Sequence, residues 1–254
     1  MPTPVQHLVI AQHLLDDSTL PGSIRQRLLA QRSAFLFGNT APDVQTVSGQ
    51  LREETHFFVI PWARVPVPHN ALFSLHPALS RVRSLPADHA AFLAGYICHL
   101  WLDVLWVRDI YLNSFGPHAH WGTNLRERHI YHNILRTWCD LNDQQQLDGS
   151  IGAALATARP IDWLPFTADR YLIQWRDILA EQFHPGANIR TVEVFARRGG
   201  VAQEEFHRVL DSPAEMDRHI FAHAPHDKID KFYRDGYEQM AQLIVEYFYA
   251  TDNT

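Results

Sequence analysis

The chain has 254 residues, 46% of them hydrophobic, with 22 Lys and Arg set against 28 Asp and Glu for a formal charge of −6. That is enough apolar material for one large core or two smaller ones, and the acidic balance excludes a broad basic field that would gather nucleic acid or anionic lipid without a local site. Cys98 and Cys139 are too few and too dispersed for a disulfide framework or a zinc knuckle. No opening stretch has the order of a signal peptide and no apolar run reaches the roughly 18 residues of a membrane span, so the expectation is a cytoplasmic protein with two buried, reduced thiols.

The first predicted helix, "PVQHLVIAQHLL", sets Val5, Leu8, Ile10, Ala11, Leu14 and Leu15 at helical intervals, with Pro4 in its first turn and His7 beside the apolar stripe. A second helix is predicted from Ser23 through "IRQRLLAQRSAFLF". The turn-forming "GNTAPD" stops it and leaves Asp43 on a loop just past an apolar helix end. "ETHFFVIPWARVPVP" holds too much proline for a long helix, whereas "NALFSLHPALSRVRS" returns to helical patterning. The stretch from Pro86 to about Leu112 is the longest apolar-periodic segment; with Ser84 as its cap it is the predicted central helix. "NSFGPHAHWG" breaks it, carrying His118 and His120 as reserve ligands, and "NLRERHIYHNILRTWCDL" resumes as helix. After the polar "NDQQQLDG", helices are expected at 168–183, 189–210 and 226–250. Strand-like alternation is scarce and no fixed-period repeat occurs. The expected fold is a single all-α domain over 1–254, a multi-helix bundle with a metal-binding core in 1–135 and additional helices from 150 to 254 packed on it.

Within the central segment, "AGYICHLWLDVLWVRDIY" places His99, Asp103 and Asp109 in an otherwise apolar run. Residues four apart share a helix face, so His99 and Asp103 can bind one metal ion or form a buried hydrogen-bonded pair. An ionised carboxylate among Leu, Trp, Val and Ile costs several kcal/mol unless a cation or dense hydrogen bonding compensates it. Two such carboxylates favour a cation, and sixteen histidines point the same way.

The ordered motifs "HLVIAQ" with His7, "NTAPD" with Asp43, "ETHFF" with His56 and "HLWLD" with His99 and Asp103 resemble the zinc-dependent phospholipase C family, itself related to the S1/P1 nucleases. The resemblance spans about the first 135 residues and rests on the order of short motifs. It implies an all-α fold around a cluster of two or three zinc ions that hydrolyses phosphodiesters. One zinc would be held by Asp43, His56, His99 and Asp103, and Asp103 would bridge to a second zinc held also by His7. The family takes a third zinc from a Pro-x-His six residues after the bridging Asp and a His-x-x-x-Glu on the next helix. This chain has Asp109, His129 and His132 instead, and these can exchange for the family's ligands or can serve as ordinary surface and ion-pairing groups. Secreted members also use a terminal amine as ligand, placed further before the first-helix His than the six residues preceding His7.

The implied chemistry is attack by a metal-bound hydroxide, with Asp43 as the ligand that orients the attacking water or takes its proton. Phe57 and Trp106, with Phe58 and Trp62, are candidates for a substrate groove. The expected substrate is a phospholipid or a smaller phosphodiester, and no nucleic acid is expected. Two other readings compete. "HIFAHAPHD" contains the His226-Asp227 dipeptide of HD-type phosphohydrolases, and a helical binding protein with one structural zinc would also keep buried ligands.

Overall fold

The computed structural model describes residues 1–16, 19–122, 124–187 and 191–250, and among these every regular element is helical. Helix α1 (Pro4–Asp16) opens with Pro4, whose missing N–H is no loss in a first turn. The single helix expected after Ser23 is two, α2 (Gly22–Ala30) and α3 (Arg32–Gly38), parted at Gln31, which leaves the helical conformation at φ −118° and ψ 34°. The break frees α3 to pack separately, and its Ala34, Phe35, Leu36 and Phe37 are all buried, the signature of a helix enclosed on every side. A 3-10 turn, Ala41–Val44, carries Asp43, and the short α4 (Arg52–His56) follows. Helix α5 (Pro68–Leu75) and two 3-10 turns occupy the segment read as a single helical pattern, because Pro77 interrupts it.

The central helix α6 (Ala87–Ser114) starts after Pro86 rather than after a Ser84 cap; Ser84 lies in a 3-10 turn with its hydroxyl donating to the Arg81 carbonyl. Contrary to the sequence expectation, this helix is long and apolar enough to cross a membrane by length and composition. Yet 94% of its most apolar window is buried within the fold, the burial of a core helix. Helix α6 contains a π turn at Val107–Tyr111. Beyond it come α7 (Leu125–Asp143), α8 (Ile151–Ala156) and α9 (Asp169–Gln182). The helix expected over 189–210 is likewise two among the described residues, α10 (Thr191–Gly199) and α11 (Gln203–Leu210), and Gly200 at φ +65° makes the turn between them. The chain closes with α12 (His226–Tyr249).

One contiguous hydrophobic cluster runs from Leu8 in α1 through α6 to Phe248 in α12. The tightest approach in it is between α3 and α6. A Cβ added at Gly38 would lie 2.0 Å from the Phe92 carbonyl oxygen, and one at Gly95 would lie 2.3 Å from that of Phe35. Only glycine at both positions allows these backbones to touch, and the contact sets the chain just after α3 against the middle of α6. His99 and Asp103 face that point.

Candidate metal centre

Four separate segments contribute to a buried cluster at mid-height of α6. His7 comes from α1, Asp43 from the 3-10 turn after α3, His56 from the last turn of α4, and His99 and Asp103 from successive turns of α6. His7, His56, His99 and Asp103 are almost wholly buried, and the Asp43 side chain is 20% exposed. The Asp103 carboxylate divides its oxygens, with Oδ1 3.5 Å from His7 Nε2 and Oδ2 3.5 Å from His56 Nε2 and 3.8 Å from His99 Nε2. His56 Nε2 lies 3.6 Å from Asp43 Oδ1, and the His7 and His99 rings stack with centroids 3.8 Å apart. Two donor sets result, His7–His99–Asp103 and Asp43–His56–His99, each with its atoms within 4.8 Å of one another.

The partners of the outer ring nitrogens decide what the inner ones offer. His99 Nδ1 is 2.8 Å from the Asn39 carbonyl oxygen, which only accepts, so Nδ1 carries the proton and Nε2 a lone pair. His56 Nδ1 lies 2.9 Å from the Thr55 hydroxyl oxygen and 3.2 Å from the Arg52 carbonyl, and because that hydroxyl gives its own proton to the same carbonyl at 3.1 Å, Nδ1 is the donor here too. Tyr96 donates its hydroxyl to the Thr55 carbonyl at 2.6 Å and steadies that turn. The two Nε2 lone pairs therefore face each other at 3.3 Å. Two acceptors at that distance in a dry interior repel unless a cation sits between them. Asp103 Oδ1 and both ring nitrogens of His7 are also buried with no hydrogen-bond partner. An unpartnered carboxylate oxygen beside an imidazole with no partner fits a divalent cation, and the N/O donor set is one that zinc takes.

The protonation states of the buried groups favour metal binding. Burial, with His99 adding for His7 and Arg52 for His56, lowers both imidazoles to about 4. Burial by itself raises the carboxyls of Asp43 and Asp103. In Asp43 the His56 ring 3.6 Å away and the other nearby imidazoles outweigh it; in Asp103 His99, His7 and Arg52 do, so both acids lie below the usual carboxylate range. At neutral pH His7 and His56 are thus neutral imidazoles and Asp43 and Asp103 ionised carboxylates, the forms that ligate.

Sequence reasoning missed Arg52 and Asn39. Arg52 donates from Nη2 to Asp103 Oδ2 at 2.6 Å while its guanidinium lies over the Phe58 ring at 4.5 Å. Its position four residues before His56, one helical turn, was the available signal. Nothing in the sequence marks the Asn39 carbonyl, because a backbone oxygen leaves no trace in residue type.

Other expected site residues lie elsewhere. Asp109, His129 and His132 do not converge as a third ligand set. Asp109 is bound by both arms of Arg108 at 2.6 Å on the side of α6 that meets Lys228 and Asp235. His129 Nε2 pairs with the Tyr111 hydroxyl at 2.7 Å, and buried His132 accepts the Trp106 indole N–H at 2.8 Å. Asp109 lies within the π turn, where counting at 3.6 residues per turn does not give a side chain's direction. Trp106 is fully buried and lines no groove, and Phe57 packs on His76 and Phe166. The aromatic against His56 is instead Phe58, with Trp62 at its edge. His118 and His120 are exposed and belong to neither donor set. His226 stacks on Phe221, and Asp227 accepts from the Lys228 N–H, so this dipeptide forms the first turn of α12 and joins no donor set among the described residues. Cys98 and Cys139 are free and buried.

A family model described as zinc dependent phospholipase C matches residues 6–158, a span that contains all five clustered residues. No curated protein and no solved structure matches the chain.

Proposed function

Because the chain belongs to the zinc-dependent phospholipase C family, we propose that His7, Asp43, His56, His99 and Asp103 hold zinc and that the protein hydrolyses a phosphodiester, of a phospholipid or a smaller molecule. The observation that carries this reading is the pair of imidazole lone pairs facing each other at 3.3 Å beside the unpartnered Oδ1 of Asp103. His99 has one free ring lone pair and can serve one ion, so it goes with Asp43, His56 and Asp103 Oδ2, leaving His7 and Asp103 Oδ1 for a second.

Bound zinc lowers the pKa of a coordinated water towards 7 and so supplies hydroxide as the nucleophile. The protein's own groups orient and accept. Asp43 is the most exposed of the five ligands, so its carboxylate reaches the open side of the cluster, where it orients the attacking water and takes its proton. Asn39 and Arg52 fix the two imidazoles through their carbonyls, and the Arg52 guanidinium holds the Asp103 carboxylate in its bridging orientation.

The test is hydrolysis of bis(4-nitrophenyl) phosphate by the zinc-loaded chain. The expected result is turnover that a chelator abolishes and that Asp43→Asn reduces about 100-fold, within the range for loss of a positioned acid–base group. A protein that holds two zinc ions per chain yet hydrolyses neither this diester nor a short-chain phospholipid overturns the proposal in favour of a structural metal site.

A further inference from the structure

Beside the cluster, α7 sets Arg126, His129, Asn133 and Arg136 along one face at intervals of three and four residues. That face, the π turn of α6 and Arg198 at the end of α10 enclose a cavity of about 490 Å³. The cavity starts close to the centre. Val107, in its wall, follows Asp103 by four residues, about 6 Å along the helix axis. It is also long, since Arg126 and Arg136 are ten residues apart on α7, about 15 Å.

Its chemistry is one-sided. Among the described residues three arginines and two histidines line it, and no carboxylate does. Arg136 lies over the Phe195 ring at 4.3 Å and donates from Nη1 to Asn133 Oδ1 at 3.2 Å, while its buried Nε has no partner. Burial draws its guanidinium down to about 10 against the attraction of Asp140, Asp43 and Asp103, which leaves it charged at neutral pH. The acid next to it on α7, Asp140, is occupied by the hydroxyls of Thr3 and Thr191. Among the described residues Arg126 donates only to the Gly199 carbonyl, at 3.3 Å, and is paired with no acid. A buried guanidinium with a free N–H, joined by two more at the mouth, calls for an anion with several acceptor oxygens, and phosphate meets an arginine fork with two parallel hydrogen bonds.

We propose that this cavity is a subsite for a second phosphate, a phosphomonoester carried by the phosphodiester substrate beyond its scissile group. The inference rests on the proposed hydrolase reading and adds the substrate class. A single scissile phosphate at the cluster cannot also reach Arg126 and Arg198, whereas a substrate with a linker and a terminal phosphate fills the length available.

Two probes test it: glycerol 1-(4-nitrophenyl phosphate), and the same diester bearing a phosphomonoester on the third carbon. Both are assayed on the zinc-loaded full chain and on the rim variant Arg126→Gln/Arg198→Gln, whose exposed positions spare the core. The wild-type chain is expected to show a KM about tenfold or more lower for the phosphorylated probe, which is 1.4 kcal/mol or more of binding, and the double variant to lose that difference. A KM ratio that is the same in both proteins overturns the proposal. Calorimetric titration with inorganic phosphate, before and after zinc loading, gives a readout that needs no turnover. If neither probe is hydrolysed, the hydrolase reading fails, while phosphate binding that does not need zinc and weakens about tenfold in the double variant still supports an anion subsite. Binding that appears only with zinc and is equal in the two proteins overturns it. Arginine-dependent binding of inorganic phosphate with no gain for the phosphorylated probe assigns the cavity to free phosphate and overturns the substrate claim.

Discussion

Asp103→Asn removes the charge of the carboxylate whose two oxygens face different imidazoles of the cluster, and its effect on metal content follows from how that carboxylate is shared. Oδ1 faces His7, and Oδ2 faces His56 and His99, so one substitution takes a charged ligand from each proposed ion. A structural zinc is bound by about 10–16 kcal/mol, which over four ligands is about 3 kcal/mol each, or roughly 100-fold in affinity for each ion. The second ion, with only His7 left as a protein ligand of its set, is expected to be lost altogether, and the first to weaken about 100-fold. Elemental analysis after dialysis reads the stoichiometry, and competition with a chromogenic chelator reads the affinity. Arg52 loses its partner in this variant, and breaking a half-buried ion pair itself lowers stability, so circular dichroism must first establish that the variant is folded. A folded Asp103→Asn protein that keeps the wild-type zinc content and affinity refutes a shared bridging carboxylate.

Three further outcomes are expected. Gly38→Ala puts a Cβ 2.0 Å from the Phe92 carbonyl, and as backbone cannot yield as a side chain does, urea denaturation should show a loss at or above the upper end of the ~1–3 kcal/mol typical of overpacking. Gly22→Ala, with open space around it, should stay within about 0.5 kcal/mol of wild type, and equal stability of the two variants would contradict the close α3–α6 contact. In the metal-free protein, His7 and His56 titrate near 4 when folded and near 6.5 when unfolded, so the unfolded chain binds more protons between these values and stability falls as pH drops from about 6.5 to 4. Thermal melts across that window check it, and zinc added in excess should hold the melting temperature up until a lower pH. Asp140 works in the opposite sense. Burial raises its pKa to about 7 against the hydrogen bonds of Thr3 and Thr191, so its contribution is complete below about 3.8 and is lost as pH rises through 7. Asp140→Asn should therefore gain stability relative to wild type between pH 5 and 8, on the order of 3 kcal/mol, and a pH-independent difference between the two proteins would exclude an ionising carboxyl there.

The amino-acid sequence by itself determined what depends on neighbours within a few residues. Helical periodicity located α1, α6, α7, α9 and α12 to within about two residues at most ends, and four-residue spacing put His99 and Asp103 on one face. The cost of burying carboxylates among Leu, Val and Trp pointed to a cation before any partner was known. Tertiary structure decided which distant groups share that cation's surroundings. His7, Asp43 and His56 reach His99 only because Gly38 and Gly95 let α3 lie directly on α6, and the ring protons are set by the carbonyls of Asn39 and Arg52, which residue type does not record. The same holds where sequence reasoning failed. Asp109 lies in a π turn and is held by Arg108, and the packing of α7 against α10 gathers Arg126, Arg136 and Arg198 where a third ligand set was expected. Local pattern fixes the direction of a side chain along its own helix, but the rotation and distance between helices come from packing contacts summed over the whole core.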